Sequence, residues 1–187
     1  MTSGYQVVLD ACVLVNAALR DTLLRIAEPP RLYLPRWSND IMEETTRTLE
    51  NKLGLSPQQT AHLVGQLRVH FEDCWVEGYE KLVPAMTNHP KDRHVLAAAV
   101  RTGAQTIVTF NIKDFPESAV APWDVIVQTP DEFLVHQFHL NPEVVLAKLM
   151  EQAQARLGIA RLLEIHEQTV PTFTQLVRSH LLEEILV

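Results

Sequence analysis

The sequence contains few of the features that mark secreted, zinc-binding or membrane-spanning proteins. Only two of its 187 residues are cysteines, Cys12 and Cys74, and their spacing fits neither a CxxC pair nor a zinc site. No apolar run approaches the roughly 20 residues that span a bilayer, and residues 1–10 lack the pattern of a signal peptide. We therefore expect a soluble protein of the reducing cytoplasm, without a membrane partner.

Positive charge and aromatic side chains are also scarce. The chain has 16 Lys and Arg against 23 Asp and Glu, a formal net charge of -7, and 6% aromatic residues. Affinity for nucleic acid usually comes from neutralising phosphates, so this charge argues against non-specific binding to polyphosphate. The objection weakens if several carboxylates bind divalent cations. No stacking platform or base-reading motif chooses between RNA and DNA.

Short apolar runs between helical patterns predict a parallel α/β sheet. Strands are predicted over residues 5–9, 106–110 and 125–127. Helices are predicted from apolar spacing and from Pro, Ser and Gly at their ends, over residues 12–27, 37–53, 57–71 and 90–102. Strands that alternate with helices favour right-handed crossovers. We therefore expect an α/β domain over residues 1–129.

The pattern changes to helices alone after that domain. Three helices are predicted, over residues 131–138, 142–157 and 170–182, each associated with a proline. We assign residues 130–187 to a helical C-terminal extension, and no motif within it indicates a role.

Two acidic residues lie directly after two of the predicted strands. Asp10 ends the first apolar run, and Asp114 lies in the loop that begins at Asn111 after the second. Ligands of open α/β sheets bind beyond the carboxyl ends of the strands, so the two acids should share one edge. The alternative for Asp10 is that it only caps the helix that follows it.

A third acid, Asp92, falls in the first turn of the helix over residues 90–102. A carboxylate there also gains from the helix dipole, so ordinary capping electrostatics is the alternative to a catalytic role. The position favours the catalytic reading, because this helix leads directly into the strand that precedes Asn111.

A fourth acid, Glu44, is selected by helical phase. It shares an inward stripe with Ile41 and Thr48, whereas Glu43 is turned roughly 100 degrees away. An inward carboxylate needs a partner, because an unpaired buried charge is costly. A metal ion is one candidate, and a salt bridge to an arginine is the other.

Carboxylates that converge on one pocket repel one another unless cations neutralise them. Ligands that are all oxygen favour Mg²⁺ or Mn²⁺ over zinc. Such ions activate a water molecule and stabilise the departing oxygen of a phosphodiester. The four acids therefore indicate hydrolysis without a covalent enzyme intermediate.

Four blocks of the sequence resemble the PIN-domain family, and within it the toxin ribonucleases of VapBC-type toxin-antitoxin pairs. The blocks are VVLDACVLVNA around Asp10, SNDIMEETTRTL around Glu44, DRHVLAAAVRTGAQTIVTFN from Asp92 and KDFP around Asp114. They follow the family's order over about residues 5–116. The resemblance implies a PIN-like three-layer α/β/α fold with a central, mainly parallel sheet.

The resemblance also implies the roles of individual residues. The catalytic acids of the family correspond to Asp10, Glu44, Asp92 and Asp114. Three of these acids, Asp10, Asp92 and Asp114, are expected to bind the metal together with Asn111. Thr109 and Ser38 are expected to support the site. The implied activity is Mg²⁺- or Mn²⁺-dependent cleavage of RNA, with inhibition by a cognate antitoxin and a homodimeric assembly.

Two positions depart from the family pattern. Cys12 stands where relatives often have Asn, so a supporting hydrogen bond to the site is missing or altered. Asn111 stands where many relatives have Asp, which weakens a second metal position.

Basic residues around the proposed site are candidates for RNA backbone contacts. They are Lys91, Arg93, Lys113 and Arg47, with Lys52 as a further candidate. His94, two residues after Asp92, is a candidate for a phosphate contact, but a position facing solvent is expected for it.

Three other functions remain open at this stage. A haloacid-dehalogenase-like phosphatase also has an Asp after its first strand, but it needs a second Asp where this chain has Cys12. A non-catalytic nucleic-acid or protein-binding module would fit Cys12, Asn111 and the net negative charge. A nuclease that cuts DNA would fit the same acids as a ribonuclease.

Overall fold

The computed structural model describes residues 4–156 and 158–185 of the chain. Its five strands are β1 (Gln6–Leu9), β2 (Leu34–Ser38), β3 (Trp75–Val76), β4 (Thr106–Val108) and β5 (Ile126–Gln128). The helices of the first half are α1 (Ala11–Leu14), α2 (Ala17–Ile26), α3 (Asn39–Leu53), α4 (Pro57–His70) and α5 (Arg93–Thr102). Those of the second half are α6 (Glu117–Val120), α7 (Pro130–Leu140), α8 (Pro142–Arg156), α9 (Ile159–Glu167) and α10 (Pro171–Ile185).

All strand pairs are parallel, in the order β3-β2-β1-β4-β5. The chain moves outward from β1 to β3, returns through α5 to β4, and continues to β5. Right-handed crossovers therefore place α1 to α4 on one face of the sheet and α5 on the other. The fold is the expected PIN-like α/β/α arrangement, and the order reverses between β1 and β4. This switch point is where an open sheet leaves a crevice for a ligand.

The prediction missed two strands and began a helix at Trp37, with Ser38 or Asn39 as its cap. The cap at Ser38 is confirmed, but Trp37 and Ser38 end β2, and α3 begins at Asn39. Strand β2 was missed because it contains Pro35, and proline is disfavoured within a sheet. Leu34 N–H donates to the carbonyl of Tyr5, the residue before β1, and β3 pairs only from Trp37 onward, so the missing N–H of Pro35 faces no partner strand.

Helix boundaries differ from the prediction at several places. The single helix predicted over residues 12–27 is two helices, because Asn16 ends the first turn and caps α2 by accepting from Leu19 N–H. The first turn of the predicted helix at residue 90 is a 3-10 turn, Pro90–Asp92, before α5. Helix α9 was not predicted. The predicted end of the preceding helix, Leu157, lies outside the described residues.

The C-terminal helices pack on the α/β part rather than standing apart from it. Helix α8 packs on α2, and α10 packs on α7 and α9. Buried apolar residues of both parts, from Val7 in β1 to Phe173 in α10, form one continuous core. The division at residue 129 stays a prediction. No helix among the described residues is long and apolar enough to cross a membrane.

Candidate active site

Asp10 lies at the carboxyl end of β1, at the switch point of the sheet. Its side chain is 2% exposed, and one carboxylate oxygen accepts from Ala11 N–H at 2.6 Å. The capping role considered from the sequence is therefore present. It uses one oxygen and caps a helix of only four residues. The other oxygen accepts from Thr109 Oγ1 at 2.6 Å, across from the end of β4.

Thr109 and Cys12 hold Asp10 in place. The Thr109 hydroxyl donates to Asp10 and accepts from Asn111 N–H at 3.0 Å, so it links the two strand ends. The Cys12 thiol lies 3.2 Å from the same Asp10 oxygen, and its sulfur accepts from Phe110 N–H. Burial and the charge of Asp10 raise the pKa of Cys12 to about 12, so the thiol keeps its proton. The supporting contact to Asp10, which was expected to be missing or altered because Cys12 replaces Asn, is therefore made by the Cys12 S–H group.

Asp92 is the least compensated carboxylate of the site. It is 5% exposed, and among the described residues its side chain accepts no hydrogen bond and has only a 3.5 Å contact with His89 Nδ1. Asp92 is the N-cap residue of α5 and so keeps the electrostatic benefit of the helix dipole, but its side chain makes no capping hydrogen bond. Burial raises the pKa of Asp92, and the charges of Asp10, Asp114 and Glu44 raise it further.

Asp114 reaches the same place from the loop after β4. It ends the 3-10 turn Ile112–Asp114, and its carbonyl accepts from His89 N–H at 3.0 Å. Side-chain ligand atoms of His89, Asp92 and Asp114 all lie within 4.8 Å of one another. The sequence interpretation did not include His89. Its position three residues before Asp92 was the only local signal.

Glu44 faces the same cleft from α3, as its helical phase predicted. Its Oε2 lies 3.6 Å from Nε2 of His94, and its Oε1 lies 3.7 Å from Arg47. The contact to His94 and the charges of Lys91 and Arg47 lower the pKa of Glu44, against a smaller effect of burial. Glu43, by contrast, is exposed and lines a separate groove between α3 and α4.

The expectation that His94 faces solvent was wrong. Its side chain is 13% exposed and lies against Glu44. Burial lowers the pKa of His94, but the contact with Glu44 and the charges of Asp40 and Asp10 outweigh this effect and raise it. The partner residue lies fifty positions earlier in the chain, so nothing in the local sequence of α5 indicated the pair.

Three of the four acids line one cleft of about 850 Å³, and Asp114 approaches it through its cluster with Asp92 and His89. Its acidic floor includes Asp10, Glu44 and Asp92, with Asn111 beside them, and its rim includes Arg47, Lys52 and Lys91. Ser38 lies outside this floor and acts on it indirectly, because it caps α3 by accepting from Ile41 N–H. Arg93 donates to the Asn88 carbonyl at 3.3 Å, and Lys113 is exposed beside Asp114.

The residues of the cleft fit a divalent cation. A nine-tenths-buried carboxylate without a hydrogen bond, surrounded by three further acids, carries uncompensated negative charge. Its donors are oxygen atoms of carboxylates and an amide, with one imidazole at the margin. Hard cations such as Mg²⁺ and Mn²⁺ prefer oxygen donors of this kind.

A doubly wound parallel sheet with acids at its switch point defines a class of α/β proteins. Comparison with known families identifies the family within this class. The family model described as PIN domain matches residues 6–113, and the chain belongs to this family.

A curated relative from Mycobacterium tuberculosis bears the name "Putative ribonuclease VapC50". It is 47% identical over 78 residues, which are 42% of this chain and 46% of that protein. The match thus spans about half the length of the relative. The resemblance to VapC-type PIN domains is confirmed. No solved structure matches the chain.

Proposed function

We propose that this protein is a metal-dependent endoribonuclease, and that it is the toxin of a toxin-antitoxin pair. The observation that carries the proposal is the uncompensated carboxylate of Asp92 within a floor that also contains Asp10 and Glu44. Membership of the PIN-domain family and the name of the mycobacterial relative support a nuclease. The choice of RNA rests on that relative and on the resemblance.

Asp10, Asp92, Asp114 and Asn111 would hold the cation, with Mg²⁺ or Mn²⁺ as the expected ion. When bound, such an ion supplies Lewis acidity toward the phosphodiester and acidifies a nearby water molecule. Thr109 and Cys12 fix the orientation of Asp10 by donating to Oδ2, the oxygen that does not cap α1. His94 and Arg47 hold Glu44 as a carboxylate that faces the cleft.

The rim of the cleft accounts for binding of a polyanion by an acidic protein. Lys52 and Lys91 are exposed, and Arg47 is 65% exposed although it also contacts Glu44. Cationic side chains beside the acidic floor would contact the phosphates that flank the bond to be cut. Arg93 is a weaker candidate for this role than it was from the sequence, because it already donates to the Asn88 carbonyl.

The partners and the location are part of the same proposal. An inhibitory antitoxin and a homodimer follow from the resemblance to VapC-type proteins. Two free cysteines, Cys12 and Cys74, agree with the expected reducing cytoplasm.

The test is cleavage of labelled total RNA by the purified full chain and its Asp92→Asn variant, with Mg²⁺, Mn²⁺ or EDTA. We expect discrete cleavage by the wild type, lost in EDTA and lost in the variant, because the variant keeps the side-chain shape and removes the charge. Labelled single-stranded DNA in the same series separates the two substrates.

Cleavage by Asp92→Asn at the wild-type rate would remove Asp92 from the centre. Absence of cleavage by the wild type in every condition, with cation binding retained, would favour the alternative of a PIN scaffold that binds without cutting.

A further inference from the structure

His89 stands beside the acidic floor without being one of the acids expected there. Its N–H donates to the Asp114 carbonyl at 3.0 Å, and its own carbonyl accepts from Asp92 N–H at 2.9 Å. The backbone of His89 is therefore bonded to both acids of the cluster. Those bonds hold the imidazole next to the two carboxylates irrespective of what its ring contacts.

The three side chains lie close enough together to reach a single ion. Their ligand atoms all lie within 4.8 Å of one another. Two ligands on opposite sides of a cation with bonds of about 2.1 Å lie about 4.2 Å apart. A small side-chain adjustment would thus bring all three to one ion.

The imidazole of His89 makes only long contacts with the protein, so its ring nitrogen is available to bind a cation. Nδ1 accepts from Lys91 N–H at 3.4 Å and lies 3.5 Å from Asp92 Oδ2. Both separations exceed those of a good N–H···O hydrogen bond. The side chain of His89 is 52% exposed, so burial of the ring does not explain why it points toward Asp92. Asp92 is nine-tenths buried and accepts no hydrogen bond among the described residues, and a buried carboxylate of this kind favours a cation at this point.

We propose that His89 is a nitrogen ligand of the cation held by Asp92 and Asp114, and that the site consequently prefers a transition-metal ion such as Mn²⁺ or Co²⁺ to Mg²⁺. Imidazole strengthens binding of first-row transition metals, whereas Mg²⁺ favours oxygen ligands and water. The inference rests on the proposed function for its two carboxylates, but cation binding is measured without RNA.

The experiment is calorimetric titration of the full chain with Mg²⁺, Mn²⁺ and Co²⁺ in turn. The variants are His89→Gln, His89→Asp and, as a matched control, His62→Gln, which replaces an exposed histidine of α4. A thermal melt of each variant in EDTA establishes that it is folded. The Co²⁺ form also gives a proton spectrum in which a coordinated imidazole N–H is shifted by the paramagnetic ion.

We expect the wild type and His62→Gln to bind Co²⁺ and Mn²⁺ more tightly than Mg²⁺. His89→Gln should lose at least about ten-fold in Co²⁺ affinity, since even residues outside the first shell of ligands contribute that much. Its Mg²⁺ affinity should change much less, and the shifted N–H signal should disappear. His89→Asp should bind Mg²⁺ at least as well as the wild type without recovering the preference for Co²⁺.

Two outcomes would overturn the proposal. One is an unchanged Co²⁺ affinity with the shifted signal retained in His89→Gln. The other is an equal loss of affinity for all three cations, which would show that the imidazole acts only on the shape of the loop. An Asp92→Asn variant distinguishes a failure of the role proposed for His89 from a failure of the proposed metal-dependent cleavage. If that variant loses cleavage while His89→Gln keeps its metal preference, only the role of His89 is wrong.

Discussion

At the scale of single residues, adjacent side chains have different surroundings and should therefore have different functions. Glu43 and Glu44 are neighbours on α3, yet Glu43 is exposed beside a groove and Glu44 faces the acidic cleft with His94 and Arg47 as partners. Helical geometry explains the difference, because consecutive residues point roughly 100 degrees apart.

This pair gives the first prediction. Glu44→Gln should lower RNA cleavage by about 10²-fold or more, the size typical of one group that acts at a transition state. Glu43→Gln, the matched control, should stay near the wild-type rate because its side chain is exposed outside the cleft. The measurement is kcat/KM on one defined RNA fragment. The reverse order of effects would show that the phase of α3 relative to the site is different.

At the scale of elements, a small polar cluster joins the C-terminal helices to the α/β part. Thr22 on α2 bonds to Gln152 on α8 at 2.6 Å and to His166 Nε2 on α9 at 2.7 Å. Because the hydroxyl donates to an acceptor oxygen, His166 must donate from Nε2. That leaves Nδ1 as a bare nitrogen, buried without a partner among the described residues. Burial lowers the pKa of His166 to about 4.

The cluster predicts acid sensitivity of this junction. The pKa of His166 rises from about 4 in the folded protein toward its ordinary value of 6.5 on unfolding. The unfolded chain therefore binds more protons between those values. The contribution of neutral His166 to the free energy of unfolding is fully present above pH 6.5. It is lost as the pH is lowered toward 4, and the loss amounts to up to about 3 kcal/mol.

Urea unfolding at pH 7 and pH 4.5 measures this effect. We expect His166→Gln, which keeps a donor toward Thr22 and cannot titrate, to lose less stability on acidification than the wild type. His62→Gln, at an exposed site, should behave like the wild type. Equal losses in wild type and His166→Gln would assign the acid sensitivity to other groups.

At the scale of the whole molecule, the fold brings uncompensated negative charge to the switch point of its sheet. Asp10 comes from β1, Glu44 from α3, Asp92 from the start of α5 and Asp114 from the loop after β4. A cation that binds only the folded chain stabilises it by about 2.7 kcal/mol when its concentration is 100-fold above Kd. The whole molecule should therefore melt at a higher temperature when Mn²⁺ or Mg²⁺ is present.

We expect this shift in a thermal melt of the wild type and its loss in Asp92→Asn. In EDTA, the variant should be at least as stable as the wild type, because the substitution removes a buried carboxylate whose charge is disfavoured by burial and by neighbouring acids. An equal cation-induced shift in both proteins would place the bound ion elsewhere.

Much of the fold was predictable because its signals are local. The strands at residues 6–9 and 106–108 were recognised from their apolar runs, and the cap at Gly103 ends α5 as expected. The missed strands were not readable in this way. β3 has two residues, and β2 contains Pro35, which is accommodated only because β3 does not extend beside it.

The sequence alone determined that Asp10 and Asp114 lie at one edge of the sheet and that Glu44, not Glu43, faces inward. A carboxylate directly after each of two parallel strands reaches the same edge in any right-handed α/β sheet, and helical phase separates Glu44 from Glu43. Only the tertiary structure decided how those acids are compensated. The pairing of His94 with Glu44 and the contact of Cys12 with Thr109 join segments far apart in the chain. Burial and hydrogen-bond geometry at such contacts depend on how the elements pack, and no local pattern encodes that packing.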